Sequence, residues 1–257
     1  MARLHRIIHG MPTGAPPLVI AHGLFGAARN WGAIGKRLAR ERQVVAVDMR
    51  NHGESFWDPD HGYGAMAADL AGVIEDLGGR ADVLGHSMGG KAAMTLALTA
   101  PERVGKLIVT DIAPVAYDRS QIGYVEAMRA TELGGIDRRA DAETRLAAHV
   151  EDPMVRAFLL QSIELGGAGP RWKLNLDALG AEMPRIMGFE VPEGASFDGP
   201  ALFITGAASD YVQPEHWPQI RRLFPAVERV EIPGAGHWVH ADAPGAFIGA
   251  VETFLGR

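Results

Sequence analysis

Six short runs, each followed by a stretch of helical or loop character, constrain this chain more than any other feature. They are LVIA at 18–21, QVVAVD at 43–48, DVLG at 82–85, KLIVTD at 106–111, ALFIT at 201–205, and 227–232, which closes the series. Short apolar runs without polar alternation suit strands buried on both faces, as in a parallel sheet. Helical patterns occupy 31–40, 66–77, 88–100, 214–224 and 244–255. Asn30 is the expected N-cap of the first, and Pro101 stops the third. Strands alternating with helices predict an α/β fold. LHRII at 4–8 reads as an extra edge strand.

The alternation breaks between about 114 and 197. Helical patterns recur there over 124–133, 142–151 and 154–165 with no convincing strand, and GGAGP at 166–170 reads as a flexible connection. The expected organisation is a core of 1–113 and 198–257, with 114–197 inserted as a helical cap over the carboxyl edge of the sheet.

Composition limits the function classes. The 257 residues are 47% hydrophobic and 22% charged, as in an ordinary globular protein. A net charge of −6 argues against general affinity for nucleic acid or anionic membrane. With no cysteine, disulfides, thiolate catalysis and cysteine-ligated metals are excluded. No signal peptide or bilayer-length apolar stretch is seen, so a cytoplasmic location is expected. The sequence leaves the oligomeric state open.

The strongest chemical signal is GHSMGG at 85–90. It fits G-x-S-x-G, and it lies between an expected strand and an expected helix. In that setting the serine occupies a sharp strand-to-helix turn, glycines leave room for close backbone approach, and the hydroxyl of Ser87 projects beyond the sheet edge. A glycine-rich turn with a capping serine would carry the same letters without the context. A serine hydroxyl needs a base to act as a nucleophile. Of ten histidines, His237 is best placed, in the loop between the last strand and the last helix. Loops at the carboxyl ends of parallel strands gather at one edge, so His237 can meet Ser87. His240 and His86 read as structural, with His86 pointing away from the serine hydroxyl. His237-x-x-His240 lacks the glutamate and third ligand of zinc motifs, so no metal is expected. Charge developing on an attacked carbonyl needs donors. The amide of Met88, directly after the serine, is one candidate. The amide of Leu24, in the HGLFG loop at 22–26, is the other.

HGLFG at 22–26, DMRNHGES at 48–55, GHSMGGK at 85–91, DIAP at 111–114 and GAGHWVHAD at 234–242 together resemble the α/β-hydrolase superfamily. The likeness is strongest to its small bacterial esterases and to mitochondrial α/β-hydrolase-domain relatives. It spans nearly the whole chain outside the expected cap. It implies a mostly parallel eight-stranded sheet, a helical cap, no cofactor, and hydrolysis of carboxylic esters or thioesters, often of short acyl chains. Asp48, Arg50 and Ser55 are then expected to buttress the nucleophile region, with His52 a candidate for the pocket border. Phe25 and Trp238 are candidates for substrate contact. Met128, Met154, Met183 and Met187 are candidates for an acyl groove, although each more readily serves packing. WKLN at 172–175 reads either as a polar contact to a substrate head or as a surface turn.

The acid partner of His237 has two candidates. In many relatives it lies three residues after the glycine that ends the penultimate strand. That glycine is Gly206, the third residue after it is Ser209, and Asp210 comes one residue late. The DIAP-bearing branch instead resembles hydrolases whose acid lies at the end of the strand following the nucleophile helix. Asp111 is therefore preferred, with Ser209 adding a hydrogen bond and Asp210 the alternative. The expected enzyme is a carboxylesterase or thioesterase acting on a small-molecule substrate through an acyl-enzyme. A carbon–carbon bond hydrolase or perhydrolase on the same residues, or a non-catalytic binding protein of the same fold, are the competing readings.

Overall fold

The structure is a computed structural model that describes residues 3–166 and 169–256. Strand β1 (Arg6–His9) opens the chain, followed by β2 (Leu18–Ala21), helix α1 (Gly32–Leu38), β3 (Val44–Val47) and α2 (Tyr63–Asp76). Then come β4 (Ala81–His86), α3 (Met88–Thr99) and β5 (Val104–Thr110). The next stretch holds α4 (Ile122–Ala130), α5 (Arg139–Leu146), α6 (Pro153–Leu159), the short strands β6 (Ile163–Glu164) and β7 (Arg171–Trp172), α7 (Leu176–Ala181) and α8 (Met183–Met187). The chain closes with β8 (Ala201–Gly206), α9 (Trp217–Leu223), β9 (Val227–Ile232), α10 (Val239–Asp242) and α11 (Pro244–Leu255).

Seven strands form the main sheet in the order β1-β3-β2-β4-β5-β8-β9, and only β1 runs antiparallel to its neighbour. The reason is visible in β2, which is buried along its full length and feeds both faces of the sheet. Leu18 and Ile20 pack with Trp31, Leu38, Phe247 and Val251 on one side. Val19 and Ala21 pack with Met66, Leu70, Met94 and Leu96 on the other. Alternate residues thus serve two apolar layers, which removes any polar alternation from the strand.

Several expectations need correction. The sheet has seven strands among the described residues, not eight. After β1 the chain carries Pro12, Pro16 and Pro17, which have no N–H to give to a ladder, and it returns as irregular backbone. The edge strand itself is Arg6–His9, two residues later than expected at its start. Asn30 does not cap α1: it sits in a 3₁₀ turn, Ala28–Trp31, where its Oδ1 accepts from the amide of Ala27 at 2.7 Å. The stretch between β5 and β8 is not free of strands, because β6 and β7 pair antiparallel in a ribbon of two residues each. A ribbon that short gives no periodicity to read. Gly167 and Ala168 of the expected flexible connection lie outside the described residues. Among the described residues, no helix is long and apolar enough to cross a membrane.

Candidate active site

Ser87 sits between β4 and α3 with φ +52° and ψ −118°. This is a costly conformation for a residue with a Cβ, and it holds only because its surroundings leave no alternative. A Cβ on Gly85 would collide with the carbonyl of Gly89, and one on Gly89 would collide with the carbonyls of Ala21 and His22. The two glycines therefore let α3 start hard against β2 and β4. Among the described residues, only Phe25, Asn51, Ser87 and Asp111 combine a side chain with left-handed φ.

His237 follows β9 in a loop that returns over the carboxyl edge of the sheet. Its Nε2 lies 3.0 Å from Ser87 Oγ and its Nδ1 lies 2.8 Å from Asp111 Oδ2. Asp111, at the end of β5, is 1% exposed. Its other oxygen accepts from the amide of Gly206 at 3.0 Å, and Ser209 Oγ donates to Oδ2. The carboxylate is thus held by three donors, and it fixes the proton of His237 on Nδ1 so that the Nε2 lone pair faces the serine. Asp210 lies elsewhere. It is exposed and takes a two-pronged ion pair from Arg119, at 2.9 and 3.0 Å.

Two groups around His237 were not read from the sequence. Tyr211 stacks on its imidazole with centroids 3.8 Å apart, and Arg119 covers the far side of Tyr211 at 4.0 Å. His86 is buried, and its Nε2 donates to the carbonyl of His237 at 2.9 Å. A histidine next to the nucleophile gave no signal of its partner, 151 positions away.

The HGLFG loop lies beside the start of α3. The amide of Phe25 donates to His52 Nε2 at 3.2 Å and that of Gly26 to the carbonyl of Gly23 at 2.9 Å, so neither is free for a substrate, and Leu24 lines the cavity beside Ser87 and Met88. Met88 opens α3, where first-turn amides have no intrahelical acceptor. His52 is fully buried and holds this loop, rather than bordering the cavity. Asp48 accepts from the amides of Ala28 (2.7 Å) and Glu54 (3.0 Å), and Arg50 pairs with Asp69 at 2.6 Å.

A cavity of about 230 Å³ opens above Ser87 and His237. Phe25 and Trp238 line it, as do Tyr124, Phe158, Ile186 and Met187 from the stretch between β5 and β8. Of the four methionines considered, only Met187 reaches it. Met128 and Met183 are buried in the core and Met154 is exposed. The 172–175 segment does not line the cavity. Trp172 Nε1 donates to the carbonyl of Met128 (2.9 Å), and the amide of Asn175 donates to that of Asn51 (3.0 Å), tying this stretch to the core. Lys91, four residues beyond Ser87 on α3, is buried and lines the cavity, and burial lowers its ammonium to about 7.

This geometry can be set beside known proteins. Residues 16–244 match the model of the alpha/beta hydrolase fold family. The chain belongs to that family. It is 43% identical to the sn-1-specific diacylglycerol lipase ABHD11 of Mus musculus over 93% of this chain and 81% of the relative. It is 38% identical to the esterase YbfF of Escherichia coli, covering 93% and 92%. Among solved structures, a marine microorganism esterase superposes with a TM-score of 0.93 at 36% identity, over 99% of this chain and 100% of that one. The chain is accordingly a carboxylesterase-type hydrolase of this family, close to the small bacterial esterases.

The buried histidines in and around the site should make the fold acid-sensitive. Burial lowers the pKa of His22, and pushes those of His52 and His86 well below the usual histidine value. It takes His61 to about 3 and His240 to about 4. These rings stay neutral in the folded chain, while in the unfolded chain each binds a proton below about pH 6.5. The unfolded state then holds more protons, so stability falls as pH drops from about 6.5 toward 4. Thermal melting followed over that range should show a steep fall in Tm above the range where carboxylates titrate. A Tm flat from pH 6.5 to 4 would refute it.

Proposed function

We propose that the protein is a serine esterase that hydrolyses carboxylic esters and thioesters of short acyl chains through Ser87, His237 and Asp111. The observation that carries this reading is the unbroken chain of contacts from Asp111 through His237 to Ser87, at 2.8 and 3.0 Å. His237 Nε2 takes the serine proton as Oγ attacks the acyl carbon. The oxyanion is held by the amides of Leu24 and Met88, donors that need no reorganisation when charge develops. The imidazolium, steadied by Asp111, returns its proton to the leaving alcohol or thiol. Water activated by the same histidine then releases the acid from the acyl-enzyme, and the serine is restored.

Residues 114–197 act as the cap in this reading, closing the acyl side of the cavity with Phe158, Tyr124 and Met187. The cavity's size, about 230 Å³, lies below the range of drug-sized pockets (~300–1,000 Å³) and suits a short acyl group better than an extended chain. With p-nitrophenyl esters from acetate to laurate, kcat/KM should be highest for the shortest chains and fall beyond hexanoate. Rates that climb steadily to laurate would overturn the chain-length part of the reading. Labelling by a fluorophosphonate, lost in the Ser87 variant and in heat-denatured protein, tests the nucleophile independently of any ester.

A further inference from the structure

Lys91 is the only lysine or arginine among the described residues that line the cavity, and no aspartate or glutamate lines it. The side chain is 1% exposed. An ammonium has three N–H donors. Two are used, on the carbonyls of Met187 at 3.0 Å and Gly188 at 2.7 Å. The rings of Tyr117 and Tyr63 flank the charge at 4.7 and 5.7 Å. A buried cation without a counter-ion is expensive. The two carbonyls and the two ring faces offset part of that cost, and the lowered ammonium pKa reflects the rest, which an anion beside the third N–H would offset. The hydroxyls of Tyr63 and Tyr117 donate to the carbonyls of Ile186 and Tyr211, and among the described residues neither accepts from Lys91, whose Nζ bonds only to Met187 and Gly188. The third N–H of Lys91 is therefore the uncommitted charged donor of the cavity wall.

Its position relative to the chemistry is fixed by the helix. Lys91 is four residues after Ser87, and its amide donates to the carbonyl of Ser87 at 3.0 Å. Ser87 is the N-cap of α3, so Lys91 lies about one turn, roughly 6 Å along the axis, beyond it. We propose that Lys91 is a specificity residue that receives a carboxylate on the substrate, so that the site favours esters carrying a second, anionic group a short carbon chain from the scissile carbonyl. The inference rests on the reading of Ser87 as nucleophile. The substrate carboxylate would supply the missing counter-ion and accept the third N–H, while the two carbonyls hold the ammonium at the cavity wall. A charge-assisted hydrogen bond in a water-poor site is worth roughly 10–150-fold in binding.

The test compares monomethyl glutarate with methyl valerate, similar in length and differing in the terminal carboxylate. Acetoxy-butyrate, which carries its carboxylate on the alcohol half, is the third substrate. The readout is the ratio of kcat/KM for the anionic over the neutral ester, in wild type and in Lys91→Met. The ratio should fall roughly 10-fold or more in the variant, for monomethyl glutarate if the carboxylate enters with the acyl half and for acetoxy-butyrate if it enters with the alcohol. An unchanged ratio for both anionic esters overturns the proposal and leaves Lys91 as a tie between α3 and α8. Should Lys91→Met not fold, calorimetry on Ser87→Ala decides: tighter binding of an anionic ester than of methyl valerate supports the proposal, and equal or weaker binding overturns it. Hydrolysis of methyl valerate by wild type and not by Ser87→Ala shows separately whether the nucleophile reading stands.

Discussion

Ser87→Ala should lower kcat for ester hydrolysis by roughly 10⁶-fold, the usual cost of removing the nucleophile from such a group of residues. Stability should stay close to wild type. The backbone at Ser87 is left-handed, at φ +52°, but alanine and serine carry the same Cβ and meet the same cost there. Among the described residues, the only side-chain hydrogen bond lost is the 3.0 Å contact to His237. Purified Ser87→Ala should therefore melt like wild type and show no burst of acyl-enzyme. Residual turnover of more than a few per cent would sink the assignment of Ser87.

Asp111→Asn should cost about 10⁴-fold in kcat, and Asp210→Asn should leave activity near wild type. An amide in place of the Asp111 carboxylate can present its NH₂ to His237 Nδ1. The ring proton is then driven to Nε2, where it faces Ser87 and cannot accept the serine proton. The imidazolium of the transition state also loses its balancing charge. Asp210, by contrast, forms an exposed ion pair with Arg119, and such pairs contribute little. Side-by-side kinetics on the two variants is the measurement. A crippled Asp210→Asn beside a near-normal Asp111→Asn would reverse the assignment.

The parallel core was legible because burial on both faces leaves a mark: β4 and β8 are buried at all six positions and are mostly apolar residues or glycine, with Asp82, His86 and Thr205 the polar exceptions. The nucleophile turn was legible because only glycine fits at 85 and 89. What escaped was of two kinds. Two-residue strands such as β6 and β7 are too short for any period. Contacts between distant loops have no local signature, so nothing near Tyr211 announces that it stacks on His237. Lys91 did have a signal, its spacing of four from Ser87 on an expected helix. The identity of the acid also turned on tertiary geometry. A one-residue offset sends Asp210 to the surface and leaves Ser209 pointing at Asp111.

The residues proposed for catalysis come from loops after β2, β4, β5 and β9, so the site is stitched together from segments more than two hundred positions apart in the chain. Neighbouring strands in this sheet are joined by crossovers, and contacts so distant in sequence form slowly during folding. Enzymatic activity is consequently a late reporter. A refolding chain can regain helical signal while β9 and its histidine loop are still undocked, and it will be inert until they arrive. Recovery of ester hydrolysis after dilution from denaturant should lag the return of far-ultraviolet ellipticity, and the lag would time the docking of that final strand.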